Sequence, residues 1–231
     1  YDIDAAELHR RVQEAASLGA TEVCLQGGIH PDYTGQTYLD IVRTVREAAP
    51  DIHIHAFSPL EIDQGAATLQ LPVARFLEML KDAGLRSMPG TAAEVLDEGV
   101  RSILCPDKVT SQRWLDIMEQ AHGVGLRSTA TIMFGHVDDA RSWVRHWRQV
   151  LALQQRTQGF TEVVPLPFVS AGAPIYRRGG SRPGPTWREA LLMHAVLRLT
   201  LGHAIPNVQA SWVKIGHQGA LQMLSAGAND L

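Results

Sequence analysis

The 231-residue chain is 45% hydrophobic and 19% charged, the balance of a globular protein with a sizeable core. Its net charge of −3, with no Lys/Arg run and no aromatic-basic stripe, gives no electrostatic case for nucleic acid, and no apolar stretch reaches the roughly 18 residues of a membrane span. The opening YDIDAAELHRR has no signal-peptide pattern, and two cysteines without motif spacing, Cys24 and Cys105, make a reducing cytoplasm the expected compartment.

In chain order, residues 4–18 read as a helix with Leu8, Val12, Ala15 and Ala16 on one face, Asp4 as N-cap and Gly19 as the stop. A strand TEVCLQ follows, with Cys24 expected as a buried thiol. A helix over 37–48 precedes the strand DIHIHAFS at 51–58. A helix over 72–83, ended by Gly84, precedes LRSM at 85–88. The helix 111–124 aligns Trp114, Leu115, Met118 and Ala121, and LRSTATIMF follows at 126–134. Helix 139–157 is expected to bury Trp143, Trp147, Val150 and Leu151 before the strand FTEVVPLPF at 160–168. After a Gly/Pro/Arg-rich loop over 169–185, whose Arg-rich part 177–182 is read as solvated, a helix with Leu191, Leu192, Ala195 and Leu199 leads to the strand NVQASWV at 207–213. A short helix near 217–225 leads to GANDL, which starts like one more strand.

Repeated strand–helix units with nearly continuous apolar strands predict a parallel α/β fold with both faces covered. A closed TIM-type barrel fits better than an open doubly wound sheet, because polar residues sit at the end of every strand rather than at one crossing point. The chain opens in a helix with no strand before it and closes inside an expected strand. It therefore reads as one barrel domain, 1–231, truncated at both ends.

The strand ends supply the candidate site. Gln26-Gly27-Gly28 offers bare backbone, since glycine lets peptide groups approach a ligand closely. His53 and His55 alternate on one face, with Ser58 and Glu61 beyond. Met88-Pro89-Gly90-Thr91 leads to Glu94. Arg127, Thr129, Thr131 and Met133 share a face ahead of Gly135-His136. Gln209, Ser211 and Val213 share a late strand face, and Asn229 and Asp230 follow near the end. Two enzyme readings stay open on residues alone. His53-x-His55 with His136 and Asp230 would make a hydrolytic zinc centre. Alternatively, the glycine turn binds the amino-acid part of a nucleoside cofactor. A non-catalytic binding module is a third.

TEVCLQGGIHPDYTGQTYLDI, HIHAFSPLEI, PGTAAEVLDEGVR, GLRSTATIMFGHVD, GFTEVVPLPFV and QASWVKIG with GANDL together resemble the deazaflavin-forming radical S-adenosylmethionine enzymes, nearest the second component of FO synthase (CofH). Several of these motifs are shared with futalosine-pathway enzymes of menaquinone synthesis. The resemblance implies a radical SAM barrel using S-adenosylmethionine and a [4Fe–4S] cluster held by a CxxxCxxC loop. It implies L-tyrosine and 5-amino-6-(D-ribitylamino)uracil as substrates, joined by transfer of a 4-hydroxybenzyl group. A cyclising radical partner, as subunit or fused domain, is expected to complete the deazaflavin of coenzyme F-420. No CxxxCxxC is present in these 231 residues, so the cluster ligands are expected upstream of Tyr1 and this polypeptide is expected to be inactive alone.

The resemblance assigns Gln26, Gly27, Gly28, Ser58, Glu61 and Glu94 to the cofactor. Ile29 stands where an acidic residue is usual, which calls for a substitute acceptor such as Glu61. It gives His55, Arg127, His136 and Trp212 to the substrate cavity, with Trp212 or Tyr33 stacking on an aromatic ring. Asn229 and Asp230 fall to the uracil or ribityl group.

Overall fold

The computed structural model of the chain describes residues 3–231, in two compact units. The first comprises the residues up to Pro89 with Ile117–Arg127, and the second comprises Gly90–Asp116 with Ser128–Leu231. Among the described residues no helix is long and apolar enough to cross a membrane.

In the first unit, α1 (Ala5–Ser17) starts where the Asp4 side chain accepts from the Glu7 N–H, the expected cap. The unit continues through β1 (Glu22–Leu25), α2 (Gly35–Ala48), β2 (His53–Ala56), α3 (Pro59–Thr68), α4 (Val73–Ala83) and β3 (Ser87–Met88). The strands pair in parallel in the order β1-β2-β3, with Val23 opposite Ile54 and His55 opposite Ser87. Gly84, at φ +127°, ends α4 as expected. Tyr38, Leu39, Val42, Ile54, Ile62, Phe76 and Leu77 are buried in its core.

Two sequence expectations fail in this unit. α3 falls in a stretch with no predicted helix, because its start is written as a capping box with Pro59 at the first turn rather than as an apolar stripe. Cys24 is exposed rather than buried. β1 pairs with β2 alone among the described residues, and only the face with Val23 and Leu25 is partly covered.

The second unit holds α5 (Glu98–Leu104), the first half of α6 (Ser111–Gly123), β4 (Arg127–Phe134, from Ser128), α7 (Ala140–Thr157), β5 (Phe160–Pro167), α8 (Pro174–Arg177), α9 (Trp187–Leu201), β6 (Asn207–Val208) and α10 (Trp212–Ser225). β4, β5 and β6 pair in parallel in that order, with an irregularity between Ser128 and Thr129. Pro165 and Pro167 sit in β5 beyond the reach of β6, where the missing N–H breaks no ladder on that side. Trp114 is fully buried, stacks on Phe160 at 6.2 Å and donates its indole N–H to Thr91 O at 3.1 Å.

α9 buries Ala190, Met193, His194, Leu197 and Leu201, while Leu192 and Leu199 are exposed. That helix is apolar on every side, and periodicity cannot choose between its stripes. The predicted strand 207–213 stops after Val208. Ser211 becomes the N-cap of α10, Val213 is exposed on that helix, and Gly216 at φ +74° kinks it. The strand start expected in GANDL is present as a parallel bridge between Gln209 and Asp230. Arg182, expected to be solvated, is half-buried, with its guanidinium on Glu189 at 2.9 Å.

Candidate functional site: strand ends in each unit

At the strand ends of the first unit, β1 runs out into Gln26-Gly27-Gly28, and β2 ends at Ala56, just before Phe57, whose φ of +64° is an unusual conformation for a bulky residue. That turn delivers Ser58 and Glu61 beneath the glycines. The Glu61 carboxylate accepts from the Gly27 N–H at 3.0 Å, from the Ser58 N–H at 2.8 Å and from the Ser58 hydroxyl at 2.7 Å. Glu61 is 2% exposed, and burial raises its pKa against the opposing pull of these donors.

The glycines themselves are not required by the protein's own packing. Neither is at positive φ, a Cβ on Gly27 would make ordinary contact at 3.6 Å, and one on Gly28 would meet nothing within 4 Å. Bare backbone next to open space suits the approach of an outside group, and the residues fit the amino-acid end of S-adenosylmethionine in that respect. His55 belongs to the same unit. Its Nδ1 lies 2.7 Å from Ser87 Oγ, which also meets His53 Nε2 at 2.7 Å. Burial pushes His55 down to about 4.

In the second unit, the segment after Pro89 is fastened to β4. The Gly90 N–H donates to Thr129 Oγ1 at 2.9 Å, and Thr131 Oγ1 donates to Gly90 O at 2.6 Å. Glu94, at φ +48°, accepts from the Met133 N–H through its carbonyl and pairs with Lys108 through its carboxylate. It does not start a helix; Asp97 caps α5 instead.

His136 is fully buried and used up locally. Its Nδ1 accepts from the Val137 N–H at 2.7 Å, which leaves Nε2 to donate to Met133 O at 2.9 Å. Burial lowers its pKa, so it stays neutral. Asp138 holds the turn by accepting from the Gly135 and His136 N–H groups and from the Trp143 indole.

The remaining expected residues scatter. Arg127 is exposed at the opposite, N-terminal end of β4 from His136. Trp212 is 46% exposed and tilts against His217 at 5.2 Å. Asn229 Oδ1 accepts from the Val208 N–H and from Arg198 Nη2, closing the sheet end, and Asp230 serves the bridge to Gln209. The side chain of His136 thus faces the fold, and that of Asn229, an exposed residue, is taken up by the sheet end. Tyr33 lies against His30 at 4.9 Å and edge-on to Tyr38.

The zinc reading fails on this geometry. His53 and His55 both turn to Ser87, His136 is bound to Met133 O, and among the described residues no three His, Cys, Asp or Glu side chains could hold a metal. The residues present do not fit an iron–sulfur cluster either, since the chain has two thiols, Cys24 and Cys105, where three thiolates are needed. Sequence reasoning missed Ser87 and Asp138. Period two along LRSM would have placed Ser87 on the His55 face, whereas Asp138 looked like any loop carboxylate.

A parallel α/β fold with a glycine-ended strand over a buried carboxylate is the setting in which the family comparisons fall. The model of the radical SAM superfamily matches residues 1–147, and the chain belongs to that superfamily. The model of the CofH/MqnC C-terminal region matches residues 157–231. Over all 231 residues the chain is 49% identical to an FO synthase of Streptomyces coelicolor, of which it spans 27%. It is 48% identical to the 5-amino-6-(D-ribitylamino)uracil–L-tyrosine 4-hydroxyphenyl transferase of Methanopyrus kandleri, of which it spans 63%. Among solved structures, methylornithine synthase (PylB) aligns with the whole chain at a TM-score of 0.75 and 20% identity, covering 62% of that protein and placing the fold with it.

Proposed function

We propose that the chain is part of a radical S-adenosylmethionine transferase that cleaves L-tyrosine and transfers its 4-hydroxybenzyl group to 5-amino-6-(D-ribitylamino)uracil, in the formation of FO and coenzyme F-420. The observation that carries this reading is the 48% identity, over all 231 residues, to a transferase named for those two substrates. A cyclising radical partner, as a fused domain or a separate subunit, belongs to the same reading, because equally similar relatives come in very different lengths. Two free thiols suit the reducing cytoplasm.

Within it, Gln26, Gly27 and Gly28 hold the amino-acid end of S-adenosylmethionine through backbone groups. Bound there, the cofactor supplies the radical chemistry of its superfamily. Ser58 and Glu61 keep Gly27 in place, and Glu61 is the substitute acceptor for the acidic residue that Ile29 replaces. Glu94, paired with Lys108, is a further polar contact, and His55 faces the substrate. Arg127, Trp212 and Asp230 are weaker members of the set, because their placement gives each a surface or sheet-end position. Cluster assembly is assigned to residues other than these, and the 231 residues alone are expected to bind no iron or sulfide.

The natural full-length protein, reconstituted without oxygen and given S-adenosylmethionine, L-tyrosine and the ribitylaminouracil, should form the hydroxybenzyl adduct, read by mass. Tyrosine left intact would overturn the reading. Turnover of a futalosine-type substrate instead would favour the second reading, which the shared CofH/MqnC C-terminal model supports.

A further inference from the structure

The first unit carries a line of polar groups that cofactor binding does not use. Glu22 is opposite His53 and His55 is opposite Ser87 in the sheet register, and residues two apart on a strand face the same way, so all four share one face. Ser87 Oγ lies 2.7 Å from both His53 Nε2 and His55 Nδ1. Glu22 Oε2 lies 3.6 Å from His53 Nε2.

Two proton arrangements satisfy Ser87, whose hydroxyl can donate to either ring, and the Glu22 carboxylate selects between them. A carboxylate only accepts, and a serine hydroxyl has a single proton to give. The Glu22 carboxylate, 3.6 Å from His53 Nε2, favours a hydrogen on that nitrogen, and this N–H donates to Ser87. Ser87 then gives its proton to His55 Nδ1. A neutral imidazole that accepts at Nδ1 carries its hydrogen at Nε2, and burial keeps His55 neutral. His55 Nε2 has no hydrogen-bond partner among the described residues and is not buried.

We propose that Glu22, His53 and Ser87 are positioning residues that fix His55 as a neutral Nε2–H donor to an oxygen of a bound amino-acid substrate. The identity of that substrate rests on the tyrosine reading above; the fixed tautomer does not.

Nitrogen-15 spectra of the histidines in the intact protein at neutral pH test both parts. His55 should appear protonated at Nε2 and bare at Nδ1. Ser87→Ala should mix the two tautomers, and Ser87→Thr should restore the single one. His53→Gln, whose amide N–H replaces Nε2–H, should keep the tautomer, and His53→Leu should lose it. In the active enzyme, Ser87→Ala should raise the KM for tyrosine about tenfold with a smaller change in kcat, as loss of one hydrogen bond to a charged or polar ligand does. A His55 protonated at Nδ1, or a tautomer indifferent to Ser87→Ala, would overturn the relay whatever the substrate. The expected tautomer with no change at Nε2 on adding L-tyrosine would leave the relay standing and remove tyrosine as its ligand.

Discussion

The strand ends of the two units are built from similar residue types and put them to opposite use. In the first, Gly28 faces open space and His55 keeps a ring nitrogen without a partner among the described residues. In the second, Gly90 is pressed on β4, both ring nitrogens of His136 are bound to neighbouring backbone, and Asp138 is filled by three donors' worth of turn and indole. Polar residues at strand ends therefore do not all point to ligand. What separates binding from scaffolding is whether the protein already satisfies them.

The largest test of that contrast is at the glycines. A Cβ on Gly90 would lie 2.5 Å from Thr129 O and 2.7 Å from Thr131 N, both backbone atoms that cannot swing away. Gly90→Ala should cost about 3 kcal/mol of stability in denaturant unfolding. Gly28→Ala should change stability by under about 0.5 kcal/mol while weakening S-adenosylmethionine binding. Equal stability losses at the two positions would erase the distinction.

Glu61 comes next. Glu61→Ala leaves the Gly27 N–H, the Ser58 N–H and the Ser58 hydroxyl without their acceptor, an expected loss of about 2 kcal/mol. Its raised pKa fixes a sign as well. The folded state holds this proton more tightly than the unfolded chain, so the Glu61 contribution falls as pH rises from the ordinary 4.5 toward the folded value. Glu61→Gln should remove that fall, as read from unfolding midpoints between pH 4 and 7.

His146 in the second unit behaves in the other direction. It is fully buried, takes the Leu96 N–H on Nδ1 at 3.0 Å, and is pushed down to about 3 by burial. The unfolded chain binds the proton first, so stability should drop as pH falls from 6.5 toward 3, by about 1.4 kcal/mol per pH unit for each such histidine. His146→Gln should reduce the acid slope by one proton, and an unchanged slope would contradict the assignment.

Much of the fold was legible because its signals are local. The Asp4 cap, the Gly84 stop and the Trp114–Met118 face of α6 are each written within a few residues. Where the sequence misleads, two physical solutions compete on equal terms. α9 is apolar all round, and Ser211 reads as a strand residue until it is seen to cap a kinked helix. The candidate site divides in the same way. The pairing of Gly27 with Ser58 and Glu61 follows from adjacent parallel strand ends, and the sharing of a face by His53 and His55 follows from period two. That His136 is bound inward, and that Asn229 closes a sheet end, depends on partners tens of residues away, or on a turn whose direction composition does not set.

The smallest expected effect belongs to Arg127. Arg127 is seven residues along the strand from Phe134 at the other end of β4, about 23 Å at the usual rise per residue. Arg127→Gln should leave tyrosine turnover within about twofold of the parent, as a weak member of the substrate set would, and a large loss would make Arg127 a principal one.

The contrast between the two strand ends is tested most directly by amide hydrogen exchange of the natural full-length protein with and without S-adenosylmethionine. Protection should appear at 26–28 and 58–61, with no change across 133–143. Protection at 133–143 with none at the glycine turn would contradict it.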